Sequence, residues 1–366
     1  MRRIGIVIYS LAGAGAERVA VNLASQFIKL GDAVDVILAR REGELLDSLP
    51  SEARIYHAEI MSAKGWRVAI REYSIKKQPD VLLAMMEGAG VLSIQATNAL
   101  DIPVYIASQV HFSRHYKRSA RWKERCFMPL AARWYLPKAA GIIGASEGVS
   151  KDIQKTGNLT DSKVHTIYNP IITDELYTML SEPVGHPWLA SDRDWLTVVT
   201  VGRLTEQKDH DTLLYAIQKI SKSCSVRLLI LGQGERLHEL KELASQLDMN
   251  DIVCFVGYDP NPHRFVAASD VFVLSSAWEG FGNVLVEALA AFTPVVSTDC
   301  PSGPSEVLAQ GKFGQLVPVA DSESLAEAIV NASMYPVDKD DLSEHLQKFE
   351  SKRIAQRYLD VMRLTG

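Results

Sequence analysis

The fold class this sequence predicts is α/β, with two doubly wound parallel-sheet domains in tandem. Three observations carry that expectation. The chain has 366 residues, and at roughly 100–200 residues per domain this length favours two domains. Short β-rich apolar runs alternate with amphipathic stretches, the pattern of a parallel sheet covered by helices on both faces. The alternation stops between Ile171 and Asp194 and then restarts at Trp195. Composition agrees: 47% hydrophobic and 23% charged residues exclude disorder, collagen and coiled coil as the main architecture. Charge interrupts every apolar stretch before about 18 residues, so no segment reads as a membrane-spanning helix.

In order, Ile4–Ile8 reads as a strand. Ala16–Leu30 carries Val19, Ala20, Leu23, Ala24, Phe27 and Ile28 on one helical face, and Gly31 stops it. Strands follow at Val34–Ala39, Val81–Ala84, Val104–Ala107, Gly141–Gly144 and Val164–Ile167, with helical stretches between several of them. Residues 171–194 hold Pro183, Gly185 and Pro187 without a clear period, and read as a linker with a capping segment. Beyond it come strand Leu196–Val201, helix Asp211–Ile220, strand Val226–Leu231 and helix Glu235–Leu247. Strands Ile252–Val256, Val271–Leu274 and Val295–Ser297 complete the second set. The expected divisions are 1–180, 181–345 and a C-terminal helical piece, 346–366, within a helix at about Leu342–Leu364. A ligand is expected at the carboxyl ends of the strands, in a crevice between the domains.

Charge is uneven. Residues 1–180 hold 23 Lys and Arg against 18 Asp and Glu, and the remainder holds 16 against 26. The basic half is suited to an anionic partner, and the acidic half favours solubility. Cys126, Cys224, Cys254 and Cys300 lie far apart without metal-ligand spacing, and read as four buried, reduced thiols. Met1-Arg2-Arg3 precedes an apolar run, but Gly13 and Gly15 cut that run, so a strand feeding a glycine loop is expected rather than an export signal.

Three groups could carry chemistry. Gly13-Ala14-Gly15-Ala16-Glu17 follows a strand and opens a helix. It suits either a bare tight turn or an anion held by backbone N–H groups. As a dinucleotide fingerprint it is incomplete, since Arg18 stands at the third glycine position. In the second group, Gly202-Arg203-Leu204 leaves a strand and Gln207-Lys208 precedes a helix. A planar guanidinium fork and an ammonium point charge could hold a diphosphate without a metal, or could be two solvated surface charges. Asp209-x-Asp211 at that helix start reads as capping, and Asp192-Arg193-Asp194 as surface; neither is expected to bind a metal. The third group is Glu279-Gly280-Phe281-Gly282-Asn283, with Glu287, seven residues intervening after Glu279, in an apolar helix. A loop carboxylate can grip sugar hydroxyls, and one inside a largely buried helix needs a partner, such as the two hydroxyls of a ribose.

These residues, in this order, resemble the retaining GT-B glycosyltransferases of family 4. The matching marks are Gly202-Arg-Leu…Gln-Lys208, Gly232-Gln-Gly-Glu235, Phe255-Val-Gly257 and Glu279-Gly-Phe-Gly…Glu287 in the second half. In the first half they are Gly13–Glu17, Ser146-Glu-Gly-Val149 and Tyr168-Asn-Pro170. The resemblance covers nearly the whole chain. Residues 1–18 and 257–318 look closest to transferases of N-acetylgalactosamine that extend polyprenyl-diphosphate-linked glycans in bacterial protein glycosylation. Capsule and lipopolysaccharide transferases look similar. One departure from the family loop is Ala14 between Gly13 and Gly15.

The resemblance implies two Rossmann-like domains facing a central cleft, with the C-terminal helix crossing back to the first. It implies that Arg203 and Lys208 hold the donor diphosphate, that Glu279 contacts the donor sugar, and that Glu287 binds ribose. Gly202, Phe281, Gly282, Asn283 and Val284 would line sugar and phosphate, Val256, Gly257 and Tyr258 would flank the base, and Gly13 and Gly15 would approach the donor from the other domain. His111 or His115 would lie near the donor sugar. The donor would be a UDP-sugar, used as substrate, with no cofactor and no metal.

Residues 111–138 contain eight Lys or Arg and one acid, interleaved with aromatics. Arg114, Lys117, Arg118, Arg121, Trp122, Lys123 and Arg125 suit an anionic membrane surface or an acceptor diphosphate. The same pattern would also serve a solvated helix packing its aromatics inward. Pro129 is expected to break or kink that helix. No zinc finger, helix-turn-helix or RNP-like signature accompanies the charge, so nucleic acid is not an expected partner. The expected partners are a nucleotide sugar, a lipid-linked glycan acceptor and an anionic membrane surface. The expected location is the cytoplasm, peripherally on the inner face of the cytoplasmic membrane. Readings kept open are a nucleotide-sugar 2-epimerase, a capsule or lipopolysaccharide transferase with another donor, a nicotinamide-dependent oxidoreductase, and a nucleotide-sugar-binding scaffold without turnover.

Overall fold

The structure, a computed structural model, describes residues 1–13, 15–58, 62–117, 122–334 and 339–363, and only the backbone of residues 122–124 and 126. The chain divides into two compact units, residues 1–171 with 349–366, and residues 172–348.

Unit 1 begins β1 (Arg3–Ile8), α1 (Gly15–Lys29), β2 (Ala33–Leu38), β3 (Arg54–His57), α2 (Ala63–Lys77), β4 (Val81–Met85) and α3 (Glu87–Ala96). It continues β5 (Val104–Ser108), α4 (Phe112–Lys117), α5 (Trp122–Tyr135), β6 (Gly141–Gly144), α6 (Glu147–Gly157) and β7 (Val164–Thr166). Its strands form one parallel sheet in the order β3-β2-β1-β4-β5-β6-β7. β1, β4, β5 and β6 are apolar and buried on both faces, as a helix-covered parallel sheet requires. Asp35 of β2 is a charged exception, and its carboxylate is met by Arg3 Nη1 and the Tyr73 hydroxyl, each at 2.9 Å. Side-chain caps start the helices: Ser62 accepts from Gly65 N–H and Ser146 from Val149 N–H.

Unit 2 runs α7 (Asp174–Leu180), β8 (Leu196–Val201), α8 (His210–Ser221), β9 (Val226–Leu231), α9 (Leu237–Gln246), β10 (Val253–Gly257) and α10 (His263–Ala268). It ends β11 (Val271–Leu274), α11 (Asn283–Ala290), β12 (Val295–Thr298), α12 (Pro304–Val307), β13 (Gln315–Val317), α13 (Ser322–Met334) and α14 (Lys339–Leu346). Its parallel sheet has the order β10-β9-β8-β11-β12-β13. The strand order reverses between β1 and β4 in one sheet and between β8 and β11 in the other, and these switch points are where open α/β sheets bind ligands.

The last helix, α15 (Ser351–Val361), belongs to unit 1. Ile354, Ala355, Tyr358 and Leu359 are buried in the core that Val19, Leu23 and Phe27 of α1 also line. The expected single helix at 342–364 is two helices instead, α14 and α15, separated by a 3-10 turn at Gln347–Phe349. The break lies where the chain leaves unit 2. There Phe349 is fully buried with its ring 5.6 Å from that of Tyr168, and Glu350 takes extended geometry.

Other expectations are corrected. The 171–194 stretch contains α7, capped by Thr173, and a 3-10 turn at Pro187–Leu189. The first unit boundary falls at 171/172 rather than 180/181. β3 and β13 are additional edge strands. Pro129 lies inside an unbroken α5, where the carbonyl it leaves unbonded belongs to exposed Arg125 and can meet water. The thiols are not uniformly buried. Cys300 is, Cys254 is half-buried and Cys224 is exposed after α8; the side chain of Cys126 lies outside the described residues.

Candidate functional site

At the β8/β11 switch of unit 2, two loops are stitched together. Ala277 N–H donates to the Gln207 carbonyl at 2.8 Å, Gln207 Nε2 to the Trp278 carbonyl at 2.9 Å, and the Ser275 hydroxyl to the Lys208 carbonyl at 2.8 Å. This seam places Lys208 Nζ 2.6 Å from Glu279 Oε1, with the side chains 15% and 8% exposed. Glu279 Oε1 also accepts from the Ser276 hydroxyl at 2.6 Å. Removal from water makes such a pair costly to break from one side, about 3–5 kcal/mol. Gly202 leaves the room this needs, since a Cβ there would lie 3.1 Å from Lys208 Cε. Gly232, at φ +133°, packs directly on the Gly202 carbonyl, where any Cβ would overlap it.

Of the expected diphosphate and sugar residues, the structure therefore joins Lys208 and Glu279. Arg203 stands exposed on the loop leaving β8. Glu287 lies one turn into α11 with a half-buried side chain, 3.6 Å from His263 Nδ1, so its partner is an imidazole that the sequence did not single out. Gly282 caps α11 at φ +88°, a conformation open to glycine, with Asn283 and Val284 opening the helix behind buried Phe281. Val256 lies at a register shift of β10, Gly257 follows at φ +86° with its carbonyl bonded by Gly232 N–H at 2.7 Å, and Tyr258 is 50% exposed.

The acidic residues near this site have structural partners. Asp209 accepts from the Thr212 N–H and hydroxyl. Asp211 forms a fork with Arg236, one arm at 3.0 Å; burial opposes its charge, but Arg236 outweighs burial and holds its pKa below the usual carboxylate range. Among the described residues no group of three or more His, Cys, Asp or Glu could hold a metal ion.

Sequence reasoning missed the loop after β12. Glu279 N–H donates to the Pro301 carbonyl at 3.3 Å, and Gly303, at φ +95°, lies so close to Phe281 that a Cβ would overlap its carbonyl. The Ser302-Gly303-Pro304 turn signature was the available signal. Cys300 sits beside this loop, its thiol pushed up to about 12 by burial and the Glu279 charge.

At the carboxyl edge of the unit 1 sheet, Gly13 adopts φ +89° and Gly15 opens α1; Ala14 lies outside the described residues. His111, between β5 and α4, is anchored by Nδ1 at 3.1 Å from Asp152 of α6, which also accepts from Ser113 N–H at 2.8 Å. Burial works against the Asp152 charge, but the bonds from His111 and Ser113 prevail and lower its pKa. His115 packs edge-on against Tyr116. Unexpected here is Glu87, fully buried at the start of α3 and hydrogen-bonded by the Ser108 hydroxyl. Burial pushes its carboxyl up to about 7, opposed by Ser108 and assisted by Asp152.

On the basic segment, Arg114, Lys117 and Arg125 are exposed. So are Phe127, Leu130 and Trp134, spaced along one face of α5 and 57–70% exposed. Arg118 and Arg121, and the side chains of Trp122 and Lys123, lie outside the described residues. Among the described residues no helix is long and apolar enough to cross a membrane.

Comparison with known proteins now decides the family. Residues 13–175 match the model of Glycosyltransferase Family 4, and residues 189–353 that of Glycosyl transferases group 1. The lipopolysaccharide core biosynthesis glycosyltransferase LpsE of Rhizobium meliloti is 38% identical over 86% of this chain and 84% of its own. The chain belongs to this family and is a glycosyltransferase. A second relative of this glycosyltransferase, from Campylobacter jejuni, is N-acetylgalactosamine-N,N'-diacetylbacillosaminyl-diphospho-undecaprenol 4-alpha-N-acetylgalactosaminyltransferase, 28% identical over 90% of this chain and 89% of its own. The fold of this chain is that of Anabaena HepE, solved in complex with UDP, at a TM-score of 0.80, 19% identity and full coverage of both chains. Sucrose-phosphate synthase from Thermosynechococcus elongatus superposes at a TM-score of 0.82, with 17% identity over 100% of this chain and 99% of that one. The architecture of the glycosyltransferase is thus GT-B.

Proposed function

We propose that this glycosyltransferase moves a sugar from a UDP-sugar, UDP-N-acetylgalactosamine or another UDP-hexose or N-acetylhexosamine, onto a polyprenyl-diphosphate-linked glycan, with retention and without a metal. The Lys208–Glu279 pair at the β8/β11 switch carries the reading. An ammonium has three donors, so Lys208 can bond Glu279 and still meet a donor phosphate oxygen. Arg203, exposed on the same loop, supplies a bidentate fork for the diphosphate. Glu279 orients sugar hydroxyls, Glu287 takes the ribose hydroxyls, the backbone at Phe281, Gly282 and Asn283 lines sugar and phosphate, and Val256–Tyr258 flanks the base. His111, anchored by Asp152, serves as the hydrogen-bonding group that unit 1 offers the substrate.

In the reaction the bond from the anomeric carbon to the diphosphate oxygen breaks, and the acceptor hydroxyl oxygen bonds the same face of that carbon. The hydroxyl proton passes to the departing diphosphate. Lys208 and Arg203 stabilise the negative charge that develops there, work that a divalent cation performs in other sites.

The UDP of HepE and the undecaprenol-linked substrate named for the Campylobacter relative support the choice of donor and acceptor. The exposed row Phe127, Leu130 and Trp134, beside exposed Arg125 and Arg133, supports peripheral attachment to an anionic membrane. The test is transfer by the purified chain from a panel of UDP- and GDP-sugars to polyprenyl-diphosphate-linked acceptors, read by mass spectrometry with and without EDTA. The reading expects a UDP-sugar to be used at an unchanged rate in EDTA. Exclusive use of GDP-sugars, or release of a free epimerised sugar, would refute it.

A further inference from the structure

An aromatic side chain at the β1/β4 switch of unit 1 is used by nothing described so far. β1 is buried from Ile4 to Ile8, yet the next residue, Tyr9, is 52% exposed. Its ring is braced on two sides. Trp66 meets it nearly perpendicular at 5.9 Å between centroids, and the Arg40 guanidinium carbon lies 5.5 Å from its centre.

The backbone beneath is fastened. Ala39 and Arg40 N–H groups both donate to the Tyr9 carbonyl, at 3.0 and 2.9 Å, and Leu11 and the 42–45 turn exchange two further bonds of 3.0 Å. Gly43, at φ +126°, lies so close to Leu11 that any Cβ would overlap its backbone. Tyr9 and Arg40 therefore stand on two loops that hold each other in place, and a group fixed before binding loses little entropy on binding.

Arg40 is not saturated. Its Nε is buried without a hydrogen-bond partner among the described residues, and its Nη1 reaches only an exposed Glu42 carboxylate at 3.3 Å. A half-open aromatic ring offers an apolar platform with a polar tip, which suits the C–H face of a pyranose. A guanidinium with donors to spare is suited to the planar, bidentate grip of a phosphate.

We infer that Tyr9 and Arg40 form an acceptor subsite in which the ring stacks on a pyranose and the guanidinium holds the phosphate attached to it. This rests on the acceptor proposed above and assigns to it a place on unit 1.

The test uses the full chain with geranyl-diphosphate-linked N-acetylglucosamine as a water-soluble acceptor probe. Tyr9→Ala is expected to raise the acceptor KM about tenfold or more, with donor KM moved less than twofold, and Tyr9→Phe to rescue most of the loss. Arg40→Ala is expected to weaken the probe similarly, but to leave the weaker binding of methyl N-acetylglucosaminide, which lacks phosphate, unaltered. Equal shifts in donor and acceptor KM, or an acceptor KM insensitive to Tyr9→Ala in a chain with an unchanged melting temperature, would overturn the subsite. If the wild-type chain transfers nothing to lipid-linked acceptors, the proposed function fails instead. Calorimetric titration then decides the subsite alone: probe binding lost in Tyr9→Ala sustains it, and binding of UMP but not of the probe overturns it.

Discussion

The two sheets share a topology, and their switch points are furnished differently. The β8/β11 edge of unit 2 holds an ion pair almost out of water, Lys208 with Glu279, inside loops bonded to one another. The β1/β4 edge of unit 1 holds a half-exposed aromatic ring at Tyr9 and, at Glu87, a buried carboxyl bonded by a hydroxyl. A site whose charges are fixed before the ligand arrives suits a ligand with a fixed charged group. A site of ring, guanidinium and an anchored imidazole suits a ligand recognised by a sugar face together with the phosphate it carries. Duplicated topology thus supplies two positions, and the side chains at the strand ends furnish them with different chemistry.

The largest effects should come from dismantling the unit 2 pair. Lys208→Ala removes the cation proposed to hold the donor phosphate and also leaves Glu279 buried without its counter-charge. We expect transfer to fall at least 100-fold and stability to fall by about 3 kcal/mol. The double substitution Lys208→Met with Glu279→Gln removes both charges and should recover most of the stability, read as the denaturation midpoint, without recovering transfer. Recovery of both would make the pair purely structural; recovery of neither would place the loss in packing.

Much of this contrast was legible in the sequence, for identifiable reasons. The central strands are continuous apolar runs because they are buried on both faces, so Ile4–Ile8 or Val226–Leu231 could be read directly. β3, with the sequence Arg-Ile-Tyr-His, and the three-residue β13 are partly exposed edge strands and lack that signal. Lys208 and Glu279 were each visible in a loop motif. Their contact was not, because they are 71 positions apart and meet only through the adjacency of β8 and β11. Glu87 looks in sequence like an ordinary acidic residue in a helix's first turn, and its burial depends on β5 lying alongside. His263 carried no local mark, since its relation to Glu287 arises from the packing of α10 against α11.

A second, smaller effect concerns the outer face of unit 1. Phe127 and Trp134 expose large apolar surfaces on α5, and burying such a side chain in an apolar phase is worth about 1.5–3 kcal/mol. Replacing both with Ser should weaken sedimentation with vesicles of anionic phospholipid by at least tenfold, while binding of the proposed UDP-sugar donor stays the same. Raising the salt concentration should weaken the wild type further through its basic residues. Binding indifferent to both changes would remove the membrane from the proposed function.

The last effect is a pH dependence of stability confined to unit 1. Burial pushes the Glu87 carboxyl up to about 7 in the folded chain, from an ordinary value of 4.5. Between those values the folded chain holds a proton that the unfolded chain has released, so stability must fall as pH rises across that window. The contribution is complete below about 4.5 and gone above about 7, and the difference amounts to roughly 3 kcal/mol at 1.36 kcal/mol per pKa unit. Glu87→Gln keeps an oxygen for the Ser108 hydroxyl and cannot ionise. Its melting temperature should therefore lose the downward slope between pH 5 and 7 that the wild type shows, and should exceed the wild type's at pH 8. If Glu87→Gln and wild type trace parallel curves, burial does not hold Glu87 neutral, and the buried carboxyl of unit 1 is no counterpart to the ion pair of unit 2.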